Sequence, residues 1–149
     1  MQSSLPEPTS VEEAVLTTMV RVGKRMRQPM AGEEIDFHSY VLLKTVAHQG
    51  PMRLSAIAAV LDLDASTVSR HVKSLEDRAL LDRTTDPDDG RASQVAVSAH
   101  GQASIEAGGK RRRELVGSLV ADWTDQDRED LRRLLHRLSL ALENQDQNP

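Results

Sequence analysis

The sequence predicts a mainly helical protein that carries one two-stranded β-hairpin. Two observations predict the helices: apolar residues recur every three or four positions over long stretches, and aromatic residues make up only 2% of the chain. Leu, Val and Ala dominate the apolar residues, which favours the packing of helices against helices. A third observation predicts the hairpin, because an Asp, Pro and Gly cluster within 80–98 lies between two stretches that contain β-branched residues.

The composition excludes several classes of function. The chain has 149 residues, enough for one domain over 1–149, and it contains no cysteine, so disulfides and thiolate metal sites are excluded. Its net charge is −4, and acidic residues outnumber basic ones in each third of the chain. Any contact with a nucleic acid must therefore depend on where a few arginines lie. No signal peptide or membrane-spanning stretch is predicted, and we expect a cytoplasmic protein that contacts no membrane.

Amphipathic helices are predicted towards both ends of the chain, over 10–28 and within 99–145. Ser10 and Glu13 have the spacing of a capping box at the start of the first, and Thr124 is expected to cap the last. The apolar stripe of the first helix consists of Val11, Val15, Met19, Val22 and Met26. That of the last consists of Leu131, Leu134, Leu135, Leu138 and Leu142. Both stripes need a partner, which favours pairing across the two-fold axis of a homodimer; the alternative is that they pack on each other within a monomer.

A helix-turn-helix is predicted in the middle of the chain, after a helix over about 36–48. Residues 53–81 hold two short helical patterns. The apolar residues of the first pattern are Leu54, Ile57, Ala58 and Leu61. Between the two patterns, Asp62 is expected to adopt the left-handed conformation and Asp64 to cap the second helix.

The second helix of this pair, over 65–79, has two faces on a helical wheel. The face predicted to be buried consists of Val68, Val72, Leu75 and Ala79. The opposite face consists of Ser66, Arg70, Lys73 and Asp77, with Thr67 and Ser69 flanking it. Hydroxyl groups are short enough to let a helix approach the major groove of DNA, where arginine can pair with guanine, and a helix N-terminus favours phosphate. The alternative is an ordinary amphipathic helix whose polar face is solvated.

The hairpin that follows makes this region, 36–98, a predicted winged helix-turn-helix. In its loop, TTDPDDGRAS, Asp86 and the next proline start the turn, Gly90 supplies backbone freedom and Arg91 projects from the tip. Such a tip can reach a minor groove beside the recognition helix. Asp89 is expected to hold the guanidinium of Arg91 through a charge-assisted bond. A solvated turn with a surface ion pair is the alternative.

The same region resembles the winged helix-turn-helix of the MarR family of bacterial regulators. The resemblance rests on the recognition helix STVSRHVKSLE, residues 66–76, and on Asp89-Gly90-Arg91, which is similar to the family's Asp-x-Arg wing signature. It extends to one helix before this core and two after it, over 10–28 and 99–145, which resemble the family's dimerisation helices.

The resemblance implies a homodimer that binds double-stranded DNA at a pseudo-palindromic operator, usually as a repressor, and that a small-molecule effector often releases. The DNA-binding residues it implies are Ser66, Thr67, Ser69 and Arg70 in the major groove and Arg91 in the wing, with Lys73 helping to position the helix. The chain departs from the family at Arg53, where many members have a capping Ser or Thr, and at Asp62, where glycine is common. We expect Arg53 to contact a phosphate instead.

Other functions are less favoured by the sequence. The acidic balance allows a winged-helix dimer that acts as a protein-interaction module. An enzyme is disfavoured because Ser69, His71 and Asp77 lie on one helix but face different directions. No cofactor is implied, and the five histidines lack the spacing of metal ligands. Phe37, His38 and Tyr40 cluster where the resemblance implies an effector pocket, although core packing is the commoner use of such residues.

Overall fold

In a computed structural model, the described residues 6–28 and 31–146 form six helices and two strands. In chain order these are α1 (Val11–Arg27), α2 (Phe37–Gln49), α3 (Leu54–Leu61), α4 (Ala65–Asp77), β1 (Leu81–Thr85), β2 (Ser93–Val97), α5 (Ala99–Leu119) and α6 (Asp125–Asp146). The chain divides into two units, 1–110 and 111–149, with the boundary inside α5. The predicted mainly helical winged helix-turn-helix is confirmed.

The core of the first unit lies between α2, α3, α4 and the hairpin. Its fully buried side chains are Ile35, Leu42, Leu43, Val46, Ile57, Val68, Val72, Leu75, Leu80 and Val95. The predicted apolar stripe of α4 is confirmed for three of its four members, since Val68, Val72 and Leu75 are at most 1% exposed. Burying three such side chains fixes the rotation of α4, so its opposite face is turned to solvent.

Ala79 was expected in this stripe, and that prediction is wrong. Helix α4 ends at Asp77, and Ala79 adopts the left-handed conformation, with φ of 56°. Its amide donates to the Glu76 carbonyl and the next amide, of Leu80, donates to the Leu75 carbonyl, both at 2.9 Å. The chain reverses there, and Leu80 rather than Ala79 enters the core.

The turn between α3 and α4 has the predicted conformation. Asp62 is left-handed, with φ of 51° and ψ of 48°, and the carbonyl of Ala58 accepts from the amide of Leu63 at 3.0 Å. Asp64 then caps α4, because its Oδ1 accepts from the Thr67 amide at 2.8 Å. The two hydrogen bonds, one at the end of α3 and one at the start of α4, hold the start of α4 in one orientation.

Strands β1 and β2 pair antiparallel, with Leu81 opposite Val97 and Thr85 opposite Ser93. An isolated β-bridge joins Met52 to β2, where its amide and carbonyl bond to Val95 at 3.0 and 2.8 Å. The connection between α2 and α3 therefore supports the hairpin, which alone would be marginally stable.

The start of α5 is bonded to the residues that follow α4. The Ser98 hydroxyl donates to the Ala79 carbonyl at 2.7 Å and accepts from the Gly101 amide at 2.9 Å. A Cβ at Gly101 would lie 2.1 Å from the Leu80 carbonyl oxygen, so no residue but glycine fits there without displacement.

Helices α1 and α6 begin at the predicted caps but leave their apolar stripes exposed. Ser10 accepts from the Glu13 amide at 3.2 Å, and Thr124 accepts from the Asp127 amide at 3.1 Å. No residue of α1 is buried, and Met19 is 62% exposed. Of the predicted α6 stripe, Leu134, Leu135, Leu138 and Leu142 are exposed. The exposed side chains of these two stripes form more apolar surface than a monomeric protein usually carries.

Candidate DNA interface

The polar face of α4 presents the residues that the sequence predicts for the major groove. Ser66, Ser69, Arg70 and Lys73 are exposed, and Thr67 is half-buried. They lie opposite Val68, Val72 and Leu75, which anchor the helix in the core. The structure therefore brings all five predicted residues of this helix to one surface.

Asp64 organises the first turn of that surface. Its carboxylate accepts from the hydroxyls of Ser66 and Thr67 at 2.5 and 2.6 Å, in addition to the Thr67 amide. The Ser66 bond, followed by those of Thr67, holds the pKa of this carboxyl well below its usual range. Because an ionised carboxylate only accepts hydrogen bonds, both hydroxyls donate to it. They consequently offer lone pairs to a ligand rather than protons.

The two cations of this face differ in how they are held. Arg70 donates to the neutral Thr67 hydroxyl at 3.3 Å, a long hydrogen bond. Lys73 pairs with Asp77 at 3.1 Å, with side chains that are 74% and 61% exposed. An exposed pair of this kind is strongly screened, so Lys73 can exchange Asp77 for a phosphate at little cost.

The acidic residues of the wing loop bond to its own backbone. Asp86 accepts from the Asp88 amide at 2.8 Å, and its own amide donates to the Ala92 carbonyl at 3.0 Å. Asp89 accepts from the Arg91 amide at 3.1 Å. These contacts shape the loop by tight side-chain turns. They leave the Arg91 side chain exposed at the tip.

Two details of the predicted wing are corrected by this geometry. Asp89 bonds to the backbone amide of Arg91 and not to its guanidinium, because a carboxylate two residues earlier reaches the amide first. Gly90 has no left-handed conformation, and a Cβ placed on it would meet open space. The loop therefore does not depend on the backbone freedom of glycine.

Arg53, for which a phosphate contact is predicted, is bonded to the wing. Its Nε donates to Asp86 at 2.5 Å, and its Nη2 lies 3.9 Å from Asp89. The Asp86 side chain is nearly buried, and the bond from Arg53 lowers its pKa. These partners are 33 positions apart in the chain, so no local pattern could have revealed the pair. A phosphate would have to compete with two carboxylates for Arg53.

Arg83 is a second wing residue that the sequence analysis did not single out. It lies on β1, where its Nε and Nη2 donate to the two carboxylate oxygens of Glu76 at 2.8 and 2.9 Å. Its Nη1 donates to the Ser93 hydroxyl at 2.9 Å. Glu76 and Arg83 are seven residues apart with the end of α4 between them, so helical periodicity could not predict their contact. An arginine in a strand that follows an acidic helix end was only a weak signal.

An apolar groove of about 420 Å³ lies beside the start of α4. Phe37 and His38 line it together with Thr67 and His71, and the two histidine rings are 6.5 Å apart. Tyr40 does not share this groove: it lines a neighbouring one with Lys44, whose ammonium lies 5.8 Å from the ring centroid. The predicted cluster is therefore divided between two grooves.

The residues of α4 that were weighed as a catalytic set contact other neighbours. Asp77 bonds to Lys73, and the His71 ring lies 6.5 Å from the His38 ring. Within 6–28 and 31–146, no three His, Cys, Asp or Glu side chains are placed to hold a metal ion. Over the same residues, every helix is too short or too polar to cross a membrane.

Comparisons of sequence and of structure both match this chain to the MarR family and to transcriptional regulators. The sequence profile of the MarR family matches residues 38–93. The HTH-type transcriptional regulator YxaD of Bacillus subtilis is 31% identical over 135 residues, which cover 90% of this chain and 94% of that protein. A probable transcriptional regulator from Pseudomonas aeruginosa is 28% identical, with a TM-score of 0.64 over 87% of this chain and 99% of that one. Wild-type MarR from E. coli is 16% identical, with a TM-score of 0.78 over 89% and 98% of the two chains, and shows the shared fold.

Proposed function

The chain belongs to the MarR family of DNA-binding transcriptional regulators, and from this premise we propose that it acts as a homodimer that represses transcription at a pseudo-palindromic operator. The observation that carries the proposal is the exposed polar face of α4. A helix anchored by three buried apolar residues presents two hydroxyls, Arg70 and Lys73 to solvent beside an exposed wing arginine. This is the arrangement that a helix needs to enter a major groove.

Each predicted residue has a role in this proposal. Arg70 reads a base edge, preferably guanine, because its guanidinium has only a weak neutral partner to give up. Lys73 exchanges its exposed carboxylate partner for a phosphate. Ser66, Thr67 and Ser69 line the approach, and the first two accept hydrogen bonds from base amino groups while Asp64 holds their protons.

The wing contributes a further contact in the adjacent groove. Arg91 is exposed at its tip, and Asp89 fixes the backbone that carries it. Arg53 supports the loop through Asp86, and it contacts a phosphate only through the part of its guanidinium that faces solvent. The net acidity of the loop is offset in part by Arg53, which pairs with Asp86 and lies 3.9 Å from Asp89.

The proposed dimer is supported by the apolar stripes of α1 and α6. Their exposed valine, leucine and methionine side chains would be costly to leave in water, and a two-fold axis would bury them in pairs. Sedimentation equilibrium tests this directly. Leu138→Glu, within the stripe, is expected to give a monomer, whereas Asn144→Glu, off the stripe, should remain a dimer. Dimers in both variants would contradict the proposed interface.

We also propose that a small molecule releases the DNA. The groove of about 420 Å³ is large enough for one, and it includes Thr67 and His71 of α4, so an occupant would bear on the recognition helix itself. A compound screen by thermal shift, followed by loss of DNA binding, is the test. Hits that raise the melting temperature without affecting DNA binding would contradict release through this groove.

The DNA-binding function is tested with fluorescent duplexes from the region upstream of the protein's own gene. We expect binding that is stronger than to random DNA and falls steeply with salt. Footprinting should show two protected half-sites one helical turn apart. A folded dimer that prefers no promoter DNA at low salt would contradict the proposal and favour a protein-interaction module.

A further inference from the structure

Arg83 links the recognition helix to both strands of the wing. Glu76 lies in the last turn of α4, Arg83 in the middle of β1, and Ser93 at the start of β2. All three guanidinium nitrogens of Arg83 are used: two donate to Glu76 at 2.8 and 2.9 Å, and the third donates to Ser93 at 2.9 Å. One side chain therefore spans the three elements that face the proposed DNA site.

This ion pair differs from the exposed pair of Lys73 and Asp77 on the same surface. The Glu76 side chain is 21% exposed, whereas Asp77, the partner of Lys73, is 61% exposed. The two parallel bonds to one carboxylate also fix the direction of the guanidinium, which a single bond from an ammonium does not do. Because Glu76 is partly buried and the two bonds form a fork, the geometry of this ion pair is more narrowly fixed than that of Lys73 and Asp77.

Two other polar links hold the wing to a different segment. Arg53 bonds to Asp86, and Met52 pairs with Val95, so both of these links run to the connection before α3. Apolar packing holds the base of the hairpin against α4, but its more distant part has Arg83 as its polar link to that helix. The position of the loop relative to α4 therefore depends on this residue.

We propose that Arg83 is a positioning residue that sets the wing at a fixed distance from the recognition helix, so that Arg91 and Arg70 engage one DNA duplex together. This inference rests on the proposed function. Arg83 acts here through the fork to Glu76, because that carboxylate balances its charge. The proposal therefore predicts a dependence on geometry and not on net charge.

The test compares variants that break the same link with opposite changes of charge. Arg83→Gln removes a cation and Glu76→Gln removes an anion, and Arg83→Lys keeps the cation but loses the fork. We expect all three to weaken operator binding, measured by anisotropy, by about threefold or more, the lower part of the range for coupled residues in one network. Arg91→Ala should then cost less in each of these backgrounds than in the wild type. A direct phosphate contact would instead leave Arg83→Lys unchanged and make Glu76→Gln bind more tightly, which would overturn the proposal.

A measurement without DNA separates this proposal from the proposed function. Hydrogen exchange of amides 86–92 should accelerate in Arg83→Gln, while the unfolding midpoint of the core changes little. Arg132→Gln is the matched control, since Arg132 forms a similar fork with Glu129 on α6 at 2.8 and 2.5 Å. Unchanged exchange in Arg83→Gln would overturn the positioning role even if DNA binds. If the wild-type protein does not bind operator DNA, the proposed function is wrong. Faster exchange in Arg83→Gln would still support the link between Arg83 and Glu76.

Discussion

The recognition helix and the wing lie on the same surface, but different forces hold them. Helix α4 is fixed by Val68, Val72 and Leu75, which are at most 1% exposed. Beyond its base, the wing loop is held by hydrogen bonds and ion pairs around Asp86, Asp89 and Arg83. Apolar burial depends little on salt or pH, whereas paired carboxylates depend on both. The helix therefore has the character of a rigid element, and the wing that of an adjustable one.

The largest expected effect follows from cutting the anchor of the helix. Leu75→Ala removes a fully buried side chain and should lower the free energy of unfolding by about 2–5 kcal/mol. Urea denaturation measures this loss, with the exposed Ser74→Ala as the control. A loss as small as that of the control would mean that α4 is not anchored by burial, and the comparison would fail.

The next effect concerns what the anchored helix presents. Arg70→Ala should reduce the preference for operator over random DNA by roughly 1–3 kcal/mol, because a guanidinium that pairs with a base edge carries sequence information. Anisotropy titrations on both duplexes give the difference. Equal losses on the two DNAs would show that Arg70 touches only phosphate.

A smaller effect is expected from the wing tip. Arg91→Ala should weaken binding by about 1 kcal/mol and reduce the slope of affinity against salt by about 1, with the dimer intact, because one exposed cation is removed. Titrations at several salt concentrations check both quantities. Unchanged affinity and slope would place the wing away from the DNA.

The smallest effect is a pH dependence confined to the wing. The bond from Arg53 lowers the pKa of Asp86 in the folded protein, so its stabilisation is complete above the unfolded pKa of about 3.9 and is lost as pH falls through the folded value. NMR signals of 86–92 should therefore shift at acid pH before those of 68–75, and Asp86→Asn should abolish the difference. Simultaneous changes in the two segments would indicate that the wing has no separate acid response.

The comparison also explains which features could be predicted from the sequence. The spacing of Val68, Val72 and Leu75 predicted the buried face of α4, because burial on a helix follows its period. Asp62 and Asp64 predicted the turn because their conformations are local. The prediction for Ala79 was wrong because the chain reverses after α4 and places Leu80, and not Ala79, in the core. Periodicity alone does not reveal where a helix ends.

The polar contacts of the wing could not be predicted in the same way. Arg53 and Asp86 are brought together by the pairing of Met52 with Val95, which depends on the whole hairpin. Whether Asp89 bonds to an amide or to a guanidinium depends on the conformation of the folded loop. Charges far apart in the chain have several partners available, and only the fold selects one.

Gly101 places a limit on how this scaffold can vary. Since even a methyl group would collide with the Leu80 carbonyl, the spacing between the first turn of α5 and the chain that follows α4 is limited by a missing atom as well as by the hydrogen bond from Ser98 to Ala79. Contacts that attract can be exchanged for others of similar strength, but a clearance this narrow has no substitute. The close approach of the first turn of α5 to the chain that follows α4 thus requires glycine at this position, and a gain of one carbon there would displace the two segments from each other.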